Sequence, residues 1–169
     1  MDNVVHHAQQ YLQQQSISGW LLYDYRGSNP IFWDIIGNIP NVTRPCWLWI
    51  PMTGHPALLV SYVDSGRFSS IDIATSTFVS RQDMVERLLE TIPHCSTVAM
   101  EYSPGGDIPR ISKIDAGTIE LVRSLGVIVV SSSNLIQFAT QRWSKEQLQS
   151  HKSAAKKLGV IVHDAFLRI

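Results

Sequence analysis

The sequence predicts an α/β domain with a mixed β-sheet and flanking helices. Short apolar runs that suit buried strands alternate along the chain with segments whose apolar residues recur at helical spacing. Two further runs, residues 46–50 and 57–63, flank the turn-rich segment 51–56, and this pattern is typical of a β-hairpin. A hairpin places antiparallel strands in a sheet that strand–helix alternation would otherwise make parallel, so we expect the sheet to be mixed.

The composition excludes several classes of function. Fourteen basic and fourteen acidic residues give no net charge, so no charge field favours nucleic acid or an anionic membrane. The apolar runs are too short to cross a bilayer, and the first residues lack the pattern of a signal peptide. Cys46 and Cys95 cannot form a disulfide framework and lack the spacing of a metal site. We therefore expect a cytoplasmic protein that binds neither nucleic acid nor membrane.

The first elements are a helix, a strand, a polar loop and a second helix. Apolar residues on one stripe predict a helix over 3–15, and the aromatic run 20–23 predicts a strand buried on both faces. Turn residues occupy 26–30. Pro30 at a first helical turn and Gly37 just past the end then predict a short helix. Strand, polar loop and helix form the arrangement in which α/β proteins place ligand groups.

The rest of the domain continues the alternation of strands and helices. The predicted elements are a short strand at 77–79, a helix opened by a Ser80–Asp83 capping pair and ended by Pro93, a strand at 97–102, a helix at 115–125 with Gly126 as its left-handed stop, and a buried strand at 127–130. The indole rings of Trp47 and Trp49 could stack on a ligand or pack under a helix, and packing is the favoured interpretation.

No complete active site is found among the residues. The sequence lacks a Gly-x-Ser-x-Gly elbow, a phosphate-binding Gly-x-x-x-x-Gly-Lys loop and a His-Glu-x-x-His zinc motif. A carboxylate trio of Asp24, Glu101 and Asp107 is conceivable, but we favour hydrated surface acids at turns and strand ends. We therefore assign no catalytic and no metal-binding residue, and expect this chain alone to be inactive.

A capping-box pair, Ser144 and Gln147, opens the last predicted helix. Its apolar positions follow alternating steps of three and four residues and are Leu148, Ala155, Leu158, Val162, Ala165 and Ile169. An apolar seam of this kind suggests a missing partner surface, either more of the same chain or another subunit.

Four segments carry a resemblance to a known family. They are Trp20-Leu-Leu-Tyr-Asp-Tyr-Arg-Gly-Ser-Asn-Pro, Asn41-Val-Thr-Arg-Pro-Cys-Trp, Trp49-Ile-Pro-Met-Thr-Gly-His-Pro-Ala-Leu-Leu-Val and Gln141-Arg-Trp-Ser-Lys-Glu-Gln-Leu-Gln-Ser-His-Lys-Ser-Ala-Ala. In order and spacing they resemble the amino-terminal domain of the creatinase/prolidase/aminopeptidase P family, the pita-bread metallopeptidases. The resemblance implies an amino-terminal α/β domain at 1–140. It also implies a junction and the first helix of a missing catalytic domain at 141–169.

The resemblance implies a chemistry that resides in that other domain. Family members hydrolyse a peptide bond preceding proline, or a related small amide, with two divalent metal ions held by the carboxyl-terminal domain. Both ions are therefore expected in the missing catalytic domain and not in this chain. Family amino-terminal domains help oligomerisation, so a homo-oligomer is expected, and they can lend side chains to the active site of a neighbouring subunit.

The polar loop after the first strand is predicted to supply a rim for a peptide substrate, formed by Arg26, Asn29, Trp33 and, as a weaker companion, Arg44. A planar, permanently charged guanidinium suits a substrate carboxylate. In the alternative interpretation, Arg26 caps a helix or pairs with Asp24 or Asp34.

Two functional hypotheses follow. In the first, the chain is the non-catalytic amino-terminal domain of an Xaa-Pro aminopeptidase- or dipeptidase-type metallopeptidase, and it serves oligomerisation and substrate gating. In the alternative, it is a free-standing α/β ligand- or protein-binding module whose terminal helix pairs with a partner. The first hypothesis requires an Asp-, His- and Glu-bearing domain downstream of Ile169, and the second does not.

Overall fold

A single mixed sheet of six strands organises residues 2–168, the part of the chain that the computed structural model describes. The elements in chain order are α1 (Asp2–Gln15), β1 (Gly19–Asp24), α2 (Pro30–Ile36), β2 (Cys46–Pro51), β3 (Ala57–Ser61), a 3₁₀ helix (Tyr62–Phe68), β4 (Ala74–Phe78), α3 (Arg81–Thr91), β5 (Thr97–Met100), a 3₁₀ turn (Pro104–Gly106), α4 (Ala116–Ser124), β6 (Ile128–Ser131), α5 (Ser133–Thr140) and α6 (Lys145–Phe166). The predicted fold class, a mixed sheet with flanking helices and a long carboxyl-terminal helix, is confirmed.

The strand order β4-β3-β2-β1-β5-β6 brings most strand ends to one edge of the sheet. β2 is antiparallel to both of its neighbours, β1 and β3, whereas the other pairings are parallel. All strands except β2 therefore point the same way. After β4 the chain returns past the hairpin to place β5 beside β1. The β1–β5 boundary is thus the point at which the strand order reverses, and open α/β sheets bind ligands there.

Helices cover both faces of the sheet. α1, α2 and α5 pack on one face, and α3 and α4 pack on the other. Because side chains alternate along a strand, Trp20 and Leu22 of β1 pack against α1, α2 and α5. Leu21 packs on the opposite face, with α3 and α4. This arrangement confirms the prediction that the first strand is buried on both faces.

The predicted hairpin forms, and its tryptophans are part of the core. Trp47 lies opposite Leu59 in the antiparallel register of β2 and β3. The side chains of Trp47 and Trp49 are 2% and 6% exposed and pack in the same layer as Leu88 of α3. The packing interpretation of these indole rings is therefore confirmed.

Several predicted strands differ from the structure: those at 57–63 and 97–102 end earlier, at Ser61 and Met100, and the one at 77–79 begins already at Ala74. The run 57–63 leaves the sheet at Ser61, whose hydroxyl accepts a hydrogen bond from Val63 N and thereby opens the 3₁₀ helix. The predicted buried strand at 127–130 forms as β6, but it is the last strand of the sheet within the described residues, and the Ile128 side chain is 64% exposed. β6 is therefore an edge strand. An apolar run alone does not distinguish an edge strand from an interior strand.

The last helix stands apart from both helical layers. The predicted capping box is present, since Ser144 Oγ accepts from Gln147 N and Gln147 Oε1 accepts from Ser144 N. Every residue of α6 is exposed, including the apolar Leu158 and Val162 of the predicted seam. Ile169, the last position of that seam, lies outside the described residues. None of the described helices combines the length and the apolarity that crossing a bilayer requires.

Gly19 provides a test of the packing between β1 and β2. A Cβ placed on this buried glycine would overlap the indole ring of Trp49. We expect Gly19→Ala to lower the free energy of unfolding by about 1–3 kcal/mol, because overpacking forces the indole out of its rotamer. Gly66→Ala is the matched control, since a Cβ there meets nothing within 4 Å. Urea unfolding of both variants measures the difference, and equal midpoints would contradict the close packing of Trp49 on β1.

Candidate functional site

A buried polar cluster occupies the carboxyl edge of the sheet at the β1–β5 reversal point. Asp24 ends β1, Glu101 directly follows β5, and Ser132 directly follows β6. All three side chains are buried. The prediction that the acids at turns and strand ends are hydrated surface groups is therefore wrong for Asp24 and Glu101, because neighbouring elements close over both of them.

The carboxyl group of Glu101 is the centre of this cluster and is contacted by three side-chain donors. Trp20 Nε1 donates to Oε1 at 2.5 Å, and Ser132 Oγ donates to the same oxygen at 3.2 Å. Asn29 Nδ2 donates to the other oxygen, Oε2, at 3.0 Å. These three bonds join β5 to β1, to the start of α5 and to the loop before α2.

Asn29 connects the cluster to the second helix. Its Oδ1 accepts from Ile31 N at 3.1 Å and from Phe32 N at 3.4 Å, which makes it the N-cap of α2. Its Nδ2 also donates to the carbonyl oxygen of Tyr23 at 2.9 Å. The side chain is thus fully engaged and buried, and the structure places Asn29 beneath the surface rather than on the predicted rim.

Asp24 fixes the path of the loop between β1 and α2. Its two carboxylate oxygens accept from Gly27 N at 2.8 Å and from Asn29 N at 2.7 Å. In the loop between Asp24 and Asn29, Arg26 has a φ of 59° and Gly27 a φ of 80°. This left-handed backbone conformation lets the chain turn tightly around the Asp24 carboxylate. The Asp24 carboxylate therefore binds backbone N–H groups of the loop, and it takes part in none of the salt bridges among residues 2–168.

The environment of Glu101 changes its acidity. Loss of water around the buried carboxyl raises its pKa to about 7, although the hydrogen bonds from Trp20, Asn29 and Ser132 act in the opposite direction. The cluster can hold a proton near neutral pH, but it presents no open face to a substrate. Asp107 is exposed, and within residues 2–168 no three His, Cys, Asp or Glu side chains form a metal-holding group. The conceivable trio of Asp24, Glu101 and Asp107 thus does not assemble.

Two of the predicted rim residues, Arg26 and Trp33, line a common surface cavity of about 440 Å³ beside the cluster, together with residues 38–43. Trp33 is 9% exposed, and its Nε1–H has no hydrogen-bond partner in the described part of the chain. Arg26 is exposed, and its Cζ lies 6.0 Å from the centre of the Tyr25 ring. No salt bridge joins Arg26 to Asp24 or Asp34 among residues 2–168.

Arg44 lies elsewhere. Its backbone N–H donates to Asp64 Oδ2 at 2.9 Å, and the residue lines a second cavity over the opposite helical layer. The structure therefore brings Arg26 and Trp33 together, buries Asn29 below them and separates Arg44 from all three.

Glu101 is the residue whose importance the sequence pattern did not reveal. The available signal was a single glutamate directly after an apolar strand, which equally suits a hydrated strand end. Its partners Trp20 and Asn29 lie 81 and 72 positions away along the chain, so only the pairing of β1 with β5 brings them together.

Comparison with known proteins identifies the architecture. No protein-family model matches the sequence, and comparison with curated proteins gives no sequence match. A solved structure of a proline dipeptidase from Streptococcus agalactiae superposes with a TM-score of 0.64 at 11% identity, covering 81% of this chain and 98% of that chain. The creatinase/prolidase amino-terminal domain of an X-Pro dipeptidase from Streptococcus pyogenes gives 0.60 at 13% identity and covers 79% and 95%.

The chain has the fold of a creatinase/prolidase amino-terminal domain. The prolidase from Pyrococcus horikoshii adds that the match includes the long last helix: 98% of this chain is covered at a TM-score of 0.61 and 16% identity. Only 43% of that prolidase is covered, so this chain spans less than half of its length. The fold implied by the sequence resemblance is therefore confirmed.

The raised pKa of Glu101 predicts a pH-dependent stability. Between its ordinary pKa of 4.5 and about 7 the folded protein binds this proton and the unfolded chain does not. The free energy of unfolding therefore falls as the pH rises through this window, by up to about 3 kcal/mol. In Glu101→Gln the amide cannot titrate, and this part of the pH dependence is lost.

Urea unfolding of the wild type and of Glu101→Gln at a series of pH values measures the effect. The relevant quantity is the difference in slope between the two proteins, because every other titratable group is common to both. Parallel stability profiles across the window would contradict the assignment to Glu101.

Proposed function

We propose that this chain is the non-catalytic amino-terminal domain of a cytoplasmic Xaa-Pro dipeptidase- or aminopeptidase-type metallopeptidase, and that it serves oligomerisation and substrate gating. The observation that carries the proposal is the fold similarity, which extends over 98% of the Streptococcus agalactiae dipeptidase chain. The partial coverage of the Pyrococcus horikoshii prolidase supports a parent protein with a further domain.

The sheet edge is filled by side chains where the strand order reverses, between β1 and β5, and this supports a non-catalytic role. Open α/β sheets bind ligands in the crevice where the strand order reverses. In this chain the buried side chains of Asp24, Asn29 and Glu101 fill that position and are bonded to one another or to backbone amides. In the proposed parent, a peptide substrate and two divalent metal ions bind in a catalytic domain, and this chain supplies no metal ligand.

The exposed apolar residues of α6 support the proposal that this helix contacts a partner. Leu158, Ile161, Val162 and Phe166 are each more than half exposed, and contiguous exposed apolar surface is typical of an interaction site. We assign this face to contact with the catalytic domain of the same polypeptide. The homo-oligomer then forms through the α/β domain, where the Arg26–Trp33 cavity reaches the active site of a neighbouring subunit.

The cavity between Arg26 and Trp33 supports the gating part of the proposal. A guanidinium group and an indole N–H are both hydrogen-bond donors, and neither is bonded to an acceptor group among the described residues. Two such donors on one wall suit the carboxylate of a peptide substrate. Asn29 contributes indirectly by holding the loop and α2 that carry them.

Peptidase assays test the proposed function. We expect the complete gene product to hydrolyse Xaa-Pro dipeptides when divalent metal ions are supplied, and a polypeptide limited to residues 1–169 to show no hydrolysis. Turnover by the 169-residue chain alone would contradict the non-catalytic assignment. A complete gene product without a metal-dependent peptidase activity would favour the binding-module alternative.

The kinetic effect of Arg26→Ala on the complete enzyme tests the gating role. Loss of a charged hydrogen bond to the substrate is expected to lower kcat/KM by at least about tenfold. Arg110→Ala is the matched control, because Arg110 is exposed and lies outside the Arg26–Trp33 cavity. A change within about twofold for Arg26→Ala would contradict the rim assignment.

A further inference from the structure

A second cavity opens at the same edge of the sheet, over the opposite helical layer. It has a volume of about 660 Å³ and lies between the first residues of α3 and α4. Its apolar lining includes Tyr23, Trp47, Phe78 and Met84. Small-molecule sites have volumes of a few hundred to about 1,000 Å³ and combine such a lining with a few polar groups.

The cavity carries charges of both signs that do not neutralise each other. Arg44 and Arg81 line it, and neither takes part in a salt bridge among residues 2–168. Asp115 lines it as well, and its carboxylate accepts from Thr118, from the backbone N at 2.9 Å and from Oγ1 at 2.6 Å. Among the described residues neither guanidinium group lies within 4.0 Å of the Asp115 carboxylate, so the two signs of charge are not paired around the cavity.

Trp47 also lines the cavity and is almost completely buried. Its side chain is 2% exposed, and its Nε1–H has no hydrogen-bond acceptor in the described part of the chain. A buried N–H without an acceptor is costly, by about 1–3 kcal/mol, and native proteins rarely leave one without a reason. A ligand acceptor that reaches this N–H from the cavity would satisfy it.

From these observations we propose that this cavity binds a small zwitterion with an apolar body, namely an apolar amino acid or a dipeptide with free termini. The ligand carboxylate binds Arg44 and Arg81, its ammonium group binds Asp115, and its apolar side chains lie on the floor formed by Tyr23, Trp47 and Phe78. Charge-assisted bonds at both ends give selectivity for a free amino and a free carboxyl terminus. The inference does not rest on the proposed function, because it concerns a different cavity from the Arg26–Trp33 rim.

Titration of the ¹⁵N-labelled chain with Leu-Phe, with leucine and with the blocked peptide N-acetyl-Leu-Phe-amide tests the proposal. We expect a saturable shift of the Trp47 indole N–H resonance with Leu-Phe at millimolar concentration, and binding of the blocked peptide at least about tenfold weaker. Comparison of leucine with Leu-Phe distinguishes the amino acid from the dipeptide as the better ligand. Trp47→Phe assigns the resonance.

Three charge variants and one control locate the contacts. Arg44→Gln and Arg81→Gln alter exposed side chains, and Asp115→Asn retains a good N-cap for α4 while removing the charge. Each is expected to weaken Leu-Phe binding by at least about tenfold. Arg110→Gln, outside this cavity, is expected to leave it unchanged.

Several outcomes would overturn the proposal. Absence of a saturable Trp47 shift with both leucine and Leu-Phe would contradict the site itself. Equal affinity for the blocked peptide, or an unchanged affinity in Asp115→Asn, would contradict recognition of a zwitterion.

Discussion

The burial of Glu101 is the constraint on which the rest of the domain depends. A carboxyl group without water is costly unless donors replace the lost hydration. Here those donors come from β1, from the loop before α2 and from the residue after β6. Because each donor belongs to a different element, satisfying one carboxyl group fixes the relative positions of three parts of the fold. Displacement of any of them would leave a buried charge or a buried donor unpaired.

The Glu101 cluster also closes one part of the sheet edge to solvent. The reversal point of the sheet, the usual ligand crevice of an open α/β fold, is filled by the Glu101 cluster. Exposed guanidinium groups remain on its two flanks. Arg26 lies beside the buried Trp33 over the α1–α2–α5 layer, and Arg44 and Arg81 lie over the α3–α4 layer. The proposed substrate rim and the proposed zwitterion site both lie on these flanks, outside the filled reversal point.

Local patterns predicted much of the fold but little of the cluster. The short helix after β1 follows from Pro30 at its start and Gly37 past its end, since both act within one turn of chain. The packing of Trp47 follows from its place in the apolar run 46–50, which suits a strand covered on both faces. The burial of Asn29 and Glu101, by contrast, depends on contacts across 72 residues, and a polar side chain in a loop has no local feature that marks it as buried. The exposed edge of β6 is likewise a property of strand order, which the apolar residues 127–130 do not encode.

Native-state hydrogen exchange of the Trp20 indole N–H is the most direct test of this account. If the hydrogen bonds to Glu101 hold β1, β5 and the starts of α2 and α5 together, the Trp20 indole N–H exchanges only by global unfolding. Its exchange then has the same urea dependence as that of the slowest amides of β1 and β5. The Trp143 indole serves as an internal reference, because Trp143 is 57% exposed and is expected to exchange freely. Exchange of the Trp20 N–H through a local opening that urea does not affect would contradict the central role of the Glu101 cluster.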